Sequence, residues 1–235
     1  MAFRMGLDLS PLATINSEDH EAILRTIPHS RTVSAEDWEK IRQYYLAAAP
    51  DSIVVPSTDI RDTLKQFDVT PVRLDIARNQ TVTLIEEDPV NDQFYIGTRP
   101  GKLFITNRNL DVTDSLQLGS APSKIAMFGS DRGILEMGIM DPNEQPAGKL
   151  RLMTGNNKTI SDIIDSLQRP VDFERLDLNS GGLVDYVICN FGNYTGALVA
   201  YKGLGNGKFQ KHVLQYLPGA RRIIIGDFDG NKMPD

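Results

Sequence analysis

Two short runs of aspartate, asparagine and glycine, at 177–185 and 227–235, contain the residue types best suited to chemistry in this sequence. In the second run, side-chain oxygens stand at the first, third, fifth and ninth places: Asp227, Asp229, Asn231 and Asp235. In the first run they stand at the first, third and ninth places: Asp177, Asn179 and Asp185. Ca²⁺ takes about six to eight oxygen ligands, and alternating side chains around a tight turn let one loop supply most of them. The spacing therefore predicts two sites for a hard cation.

The two runs begin 50 residues apart, and a recurrence at such a period indicates a repeat architecture. Short apolar segments with a period of two surround them, separated by Pro, Gly, Asn and Asp, which predicts consecutive antiparallel strands. The predicted strands are 81–85, 93–97, 102–106, 124–128, 134–140, 149–153, 160–167, 173–176, 184–190, 197–201, 209–215 and 222–225. They fall into units that begin near residues 81, 123, 172 and 221, and four strands per unit is the size of a β-propeller blade. A β-sandwich would hold as many strands, but it gives no reason for two such runs at a fixed offset.

The sequence thus predicts a mostly β fold, a β-propeller of four-stranded antiparallel blades with a small N-terminal α-helical segment. Residues 1–50 are predicted to be helical, 51–65 to form a linker, and 66–235 to form the blades. The clearest helix runs from Ser34 to Ala49, because Ser34 is a favoured N-cap residue and apolar side chains recur at helical spacing. A shorter helix is predicted at 17–25. Three full blades and a fragment do not close a ring of about four to eight blades, so we expect either a longer protein or an unusual packing of the terminus.

Three stretches of the C-terminal half resemble the FG-GAP/VCBS family, the calcium-loop blades also found in the propeller of integrin α chains: 172–179, 185–193 and 225–230. In that family each loop joins the first two strands of a blade. The resemblance implies side-chain ligands at the acidic and amide positions above, with the carbonyls of Leu183 and Met233 between them. Gly181 replaces a ligand in the first loop, and Lys232 stands where glycine is usual in the second, so we expect weaker binding. The same runs also fit metal-free turns whose side chains bond to their own backbone.

The N-terminal segment resembles the distal half of a small c-type cytochrome, through 4–9, 27–28, 33–38 and 41–50. The resemblance implies that Met5 stands at the position of a haem axial ligand. Covalent haem attachment needs Cys-x-x-Cys-His, and the sequence contains no such motif. Haem c is therefore expected only if such a module precedes this chain.

Composition narrows the function classes. The net charge of −6 and the absence of a dense Lys/Arg run argue against nucleic-acid binding. No apolar run approaches the roughly 18 residues of a membrane span. Cys189 is the single cysteine, which excludes an internal disulfide, and its apolar neighbours predict a buried residue. The first residues lack the parts of a signal peptide, so the protein is either intracellular or has lost its leader; we expect a secreted or periplasmic protein whose leader has been trimmed.

Motifs of common enzyme classes are missing: the sequence has no Gly-x-Ser-x-Gly, His-Glu-x-x-His or Gly-x-Gly-x-x-Gly pattern. The leading hypothesis is a secreted calcium-binding β-propeller repeat protein that acts as a binding module for a protein or a polysaccharide. Two alternatives stay open: an extracellular polysaccharide lyase or hydrolase on a propeller scaffold, and a propeller linked to a haem electron-transfer module.

Overall fold

The computed structural model describes residues 33–50, 74, 81–155, 159–228 and 230. Helix α1 spans Ala35–Ala48, which confirms the main helix of the sequence prediction. Ser34 caps it, because its hydroxyl accepts a hydrogen bond from the backbone N–H of Asp37 at 3.0 Å. This helix has no buried residue. The shorter helix predicted at 17–25 and the linker predicted at 51–65 lie outside the described residues.

The β region forms three four-stranded antiparallel sheets in chain order, which we name blades 1, 2 and 3. Within the described residues the strands are β1 Val82–Asp88, β2 Gln93–Thr98, β3 Lys102–Asn107, β4 Val112–Gln117, β5 Pro122–Phe128, β6 Asp131–Glu136, β7 Gly148–Thr154, β8 Thr159–Leu167, β9 Pro170–Leu176, β10 Asp185–Asn190, β11 Ala197–Gly205 and β12 Lys208–Gln215. Each blade pairs consecutive strands. The blades begin within two residues of the positions that the sequence predicted.

The blades meet through their first strands. β1 contacts β5, and β5 contacts β9, while the fourth strands β4, β8 and β12 are mostly exposed. First strands gathered on the inside and fourth strands on the outside are the arrangement of β-propeller blades. The described part of the chain is therefore a mostly β, propeller-type repeat, and this confirms the predicted fold class.

Apolar side chains fill the space between successive blades in two clusters. The cluster between blades 1 and 2 contains Leu84, Tyr95, Leu103, Ile105, Leu118, Ile125, Ile134 and Met153. The cluster between blades 2 and 3 contains Leu135, Leu150, Ile164, Leu167, Phe173, Tyr186, Ile188, Val199 and Tyr201. Because each blade contributes to the core that it shares with its neighbour, the stack gains stability blade by blade, as in other repeat proteins.

The junction between blades 1 and 2 also contains a buried ion pair. Asp88 ends β1 with no exposed surface, and Arg132 near the start of β6 is 3% exposed. The Arg132 guanidinium donates to Asp88 Oδ2 from Nε at 3.1 Å and from Nη2 at 2.5 Å. Its Nη1 donates to the carbonyls of Gly129 and Asp131, both at 2.8 Å. The pair therefore ties the β1–β2 corner of blade 1 to the β5–β6 corner of blade 2.

The junction between blades 2 and 3 uses aromatic rings instead. Phe128 of β5 meets Phe173 of β9 edge to face, with ring centroids 6.2 Å apart. Tyr186 then packs on Phe173 at 6.4 Å and on Phe209 at 5.5 Å. Gly133 leaves room for this contact, since a Cβ there would lie 2.7 Å from the Phe128 ring and 2.8 Å from the Phe173 ring. Aromatic pairs of this geometry stabilise the fold by more than their buried apolar area alone would.

A proline and a glycine mark each step of the repeat. Pro122 begins β5, Pro170 begins β9, and Pro218 follows blade 3, so the three prolines lie 48 residues apart. A Cβ at Gly148 would overlap the ring of Pro170, and one at Gly196 would lie 3.0 Å from the Cα of Pro218. These glycines stand at or just before the start of the third strand of their blades. Each glycine therefore leaves room for the proline that follows its blade in the chain.

Two parts of the strand prediction need correction. β4 was missed, because its residues Val112–Gln117 are almost all exposed and show little of the alternation on which the prediction relied. The strand predicted at 222–225 is wrong, since the described structure assigns no strand there. The Ile223 N–H donates to the Asp172 side chain at 2.7 Å rather than to a neighbouring strand. Asp172 also accepts from Lys124 of blade 2 at 2.6 Å, so it joins blade 3 both to blade 2 and to the segment that follows β12.

Candidate cation loop and the adjoining pocket

The segment 177–185 joins β9 to β10, the first two strands of blade 3, which is the position that the sequence resemblance implied. Asp177 begins the turn, and its carboxylate accepts backbone N–H groups from within the loop. Oδ2 accepts from Gly182 at 2.7 Å, and Oδ1 accepts from Gly181 at 3.0 Å and from Asn179 at 3.3 Å. These bonds, that from Gly182 first, hold the pKa of Asp177 below its ordinary value. The carboxylate is thus anionic and fixed in direction.

The backbone of the loop turns sharply to bring those N–H groups inward. Ser180 has a φ of 54° and Gly182 a φ of 76°, both in the left-handed region. The Asn179 side chain supports the turn, because its Oδ1 accepts from the Gly181 N–H at 2.9 Å. Asp177 and Asn179 therefore place their oxygens on the concave side of the same tight turn.

Asp185 anchors the far end of the loop. It is 1% exposed, and its Oδ2 accepts from the Leu178 N–H at 2.9 Å while its Oδ1 accepts from the Gly203 N–H at 2.7 Å. The first bond closes the loop on itself, and the second joins it to β11. Gly203 permits this approach, since a Cβ there would overlap the carbonyl oxygen of Val184. The ninth residue of the run is therefore a buried structural carboxylate.

A hard cation at this loop would have few charged ligands. The predicted ligands are the side chains of Asp177, Asn179 and Asp185 and the carbonyl of Leu183, although Asp185 is 1% exposed and both of its oxygens already accept backbone N–H groups. Asp177 Oδ2 accepts one N–H and so retains a lone pair for an ion, whereas Oδ1 accepts two N–H groups. Within the described residues, no three or more His, Cys, Asp or Glu side chains gather as a metal group. Two carboxylates and an amide leave several coordination places to water, which fits a site of low affinity. The same hydrogen bonds also fit a metal-free Asp/Asn turn.

The second predicted loop is described only at its start. Gly230 donates its N–H to Asp227 Oδ1 at 2.7 Å, so this aspartate begins a turn as Asp177 does. The other predicted ligands of this loop lie outside the described residues: Asp229, Asn231, Met233 and Asp235. Met5, the predicted haem ligand, also lies outside them. These assignments stay predictions.

A pocket adjoins the first loop at the junction of blades 2 and 3. Its volume is about 400 Å³, and its lining residues are Phe128, Arg175, Leu176, Asp177, Gly182, Leu183 and Val184. The Arg175 guanidinium carbon lies 4.8 Å from the centre of the Phe128 ring, within range of a cation–π contact. Arg175 is exposed, and no carboxylate pairs with it among the described residues. The pocket therefore combines an apolar wall with one available positive charge.

Sequence reasoning missed this pocket, although a signal was present. Phe173 and Arg175 are two residues apart on β9, so both side chains lie on the face that packs on blade 2. Arg175 stands where the alternation of β9 predicts an apolar residue, and this departure is visible in the sequence. The partner ring, Phe128, lies 47 residues earlier, and no local pattern connects the two.

The sequence matches no protein-family model and no curated protein. Among solved structures, the chain is similar to one described as the Dos1 propeller, with a TM-score of 0.44 and 14% sequence identity. The similarity covers 59% of this chain and 37% of that chain. This chain thus spans well under two thirds of the structure that it resembles. The resemblance to FG-GAP/VCBS repeats and to a c-type cytochrome remains a prediction.

The described part of the chain contains no helix that is long and apolar enough to cross a membrane.

Proposed function

We propose that this chain is a calcium-binding β-propeller repeat scaffold of the FG-GAP/VCBS type, which binds a protein or polysaccharide ligand outside the cytoplasm. The observation that supports the proposal most is the corner 177–185. It lies between the first two strands of a blade, and it turns an anionic Asp177 and the amide oxygen of Asn179 into the same concave surface. Blades of this kind form a rigid support, and the loops at their corners are free to contact ligands.

The low charge of the loop supports an extracellular or periplasmic setting for this function. Calcium affinity rises with the number of charged ligands and with the rigidity of the site. Two carboxylates with water in the remaining places predict a dissociation constant of about 10⁻⁴ to 10⁻³ M, the range of extracellular calcium modules. A site of that strength fills only where calcium is abundant. In this proposal the ion acts as a structural staple that stiffens the corner of blade 3.

Calorimetric titration of Ca²⁺ into the full chain tests the cation site. We expect heat of binding in the range given above and a melting temperature that rises with calcium, since a ligand that binds the folded state stabilises it. Asp177→Asn should remove one site, because the amide keeps the shape of the side chain and loses its charge. Asp111→Asn is the matched control: Asp111 is an exposed turn residue that accepts from Asn107 at 3.1 Å, and the variant should bind calcium as the wild type does.

Absence of binding heat, together with an unchanged melting temperature in millimolar calcium and in chelator, would refute the cation site. The binding role is tested separately on immobilised polysaccharides and peptides, with the soluble products analysed for chain length. Retention of a ligand without cleavage agrees with a binding scaffold. Release of shortened polysaccharide would overturn it in favour of the lyase or hydrolase alternative.

A further inference from the structure

We infer that the pocket beside the first loop binds an acidic peptide segment, a carboxylate flanked by aliphatic side chains. This inference deepens the binding role proposed above and rests on it. The pocket lies where blade 2 meets blade 3, with Phe128 contributed by β5 and Arg175 by β9. Both blades therefore contribute to it, and the 177–185 loop supplies further lining residues: Asp177, Gly182, Leu183 and Val184.

Arg175 supplies the charge that recognises the peptide. Its guanidinium lies over the Phe128 ring, which fixes the long side chain, and no carboxylate among the described residues pairs with its N–H groups. The carboxylates on the same strand belong to other partners. Asp172 and Glu174 both bind Lys124 Nζ of blade 2, at 2.6 and 2.7 Å. A ligand carboxylate would therefore meet Arg175 without competition from its own strand.

The remaining walls favour a peptide over a sugar. Leu176, Leu183 and Val184 present aliphatic surface, and Leu183 is 45% exposed. Sugar rings bind by stacking on an open aromatic face and by several directed hydrogen bonds. Here the one aromatic ring of the pocket is half-buried, with Arg175 over it and Phe173 at its side. Leucine, isoleucine or valine side chains match these walls, and one carboxylate between them matches the arginine.

The neighbouring loop connects this pocket to calcium. Asp177 lines the pocket and is anionic, so it partly cancels the charge of Arg175. A cation held by Asp177 and Asn179 would reverse that cancellation and leave the pocket positive. An acidic peptide should then bind more tightly in calcium than in chelator, whereas a neutral peptide should show no such difference.

The probe is acetyl-Gly-Leu-Glu-Leu-Gly-amide, titrated into ¹⁵N-labelled full chain and followed by NMR, with the same peptide carrying glutamine as the neutral control. We expect saturable shifts of the backbone amides of residues 182–184 with the acidic peptide. Arg175→Gln should raise its Kd by about tenfold, since hydrogen bonds to charged groups are the stronger ones. Arg108→Gln, at an exposed arginine on the β3–β4 turn of blade 1, should change the Kd less than twofold.

Three results would overturn the inference: no shifts at 182–184, equal binding of the glutamine peptide, or an Arg175→Gln Kd equal to that of the wild type. Tighter binding of tetragalacturonate at the same amides would overturn it as well, in favour of a sugar. The calcium titration is run on the same samples to separate the two claims. Calcium binding without peptide binding would refute the peptide pocket and support the calcium-binding scaffold. Arg175-dependent peptide binding without calcium binding would refute the cation site and support the peptide pocket.

Discussion

The buried ion pair between blades 1 and 2 allows the sharpest test of how the blades are held together. Arg132→Met keeps an apolar side chain about as long as the arginine stem and removes the guanidinium. Asp88, which has no exposed surface, would then lose both of its bonds from Arg132. The carbonyls of Gly129 and Asp131 would each lose a donor.

The loss of stability in Arg132→Met depends on the hydrogen bonds that Asp88 retains. Its carboxylate still accepts from the Asn91 backbone at 3.2 Å, the Asn91 side chain at 2.9 Å and the Gln93 side chain at 3.1 Å. Removing one partner of a buried ion pair typically costs about 3–5 kcal/mol. Because neutral donors remain, we expect the free energy of unfolding to fall by about 3 kcal/mol, the lower end of that range. At about 2–4 °C per kcal/mol for a domain of this size, the melting temperature should fall by about 6–12 °C.

The dependence on pH gives an independent check. Burial raises the pKa of Asp88, but hydrogen bonds from Asn91, Arg132 and Gln93 outweigh burial, so the pKa lies below its ordinary value of 3.8. A lowered folded-state pKa stabilises the protein above the unfolded value, and that stability is lost as the pH falls through the folded value. Removal of Arg132 raises the folded-state pKa. The difference between wild type and variant should therefore be widest near neutral pH and shrink below about pH 4.

Urea unfolding at pH 7 and at pH 4, followed by circular dichroism, measures both effects. Arg108→Met is the control, because Arg108 pairs with Glu87 at 3.0 Å on the exposed surface of blade 1 and should cost less than about 1 kcal/mol. A double-mutant cycle with Asp88→Asn completes the test. Additivity of the two changes within about 0.5 kcal/mol would refute an energetic coupling between Arg132 and Asp88.

Three further predictions concern single positions. Gly148→Ala should destabilise the fold by about 1–3 kcal/mol in urea unfolding, because the new methyl group overlaps Pro170; a loss below 0.5 kcal/mol would contradict it. Glu144→Gln should speed hydrogen exchange at the Thr195 amide, which donates to Glu144 Oε2 at 2.8 Å, and unchanged exchange would argue against this contact. Cys189 is buried, and burial raises its pKa to about 11, so a thiol reagent at pH 8 should label it only after unfolding.

The repeated unit could be predicted from the sequence, because the patterns that indicate its strands and turns lie between neighbouring residues. Alternating apolar residues and turn residues predicted the middle strands of each blade, which are the most buried, and placed 177–185 between β9 and β10. β4 was missed for the same reason, since an exposed outer strand lacks a strong alternation. The strand predicted at 222–225 was wrong for the opposite reason. Its apolar β-branched residues favour a strand, but a strand also needs a neighbouring strand to pair with.

The candidate site was predictable only where its parts are neighbours in sequence. The turn from Asp177 to Gly182 could be read from residue types. The role of Asp185 as a buried anchor could not, because its bond to Gly203 joins residues 18 apart on different strands. Likewise, Arg175 meets Phe128, and Arg132 meets Asp88, across blade junctions more than 40 residues apart in the chain. Side-chain pairs of this kind depend on how one sheet rests on the next, which no short pattern encodes.

The proline-and-glycine step has a consequence for how a chain of this kind can lengthen. Blade 2 contains both halves of the joint, Pro122 at its entry and Gly148 as the seat for Pro170. A repeat of 48 residues therefore carries both the proline and the glycine of this joint, and a duplicated copy would bring both to the new junction. Duplication of part of a unit would instead set a ring against an ordinary side chain. Such a chain therefore keeps this joint when it lengthens by whole blades.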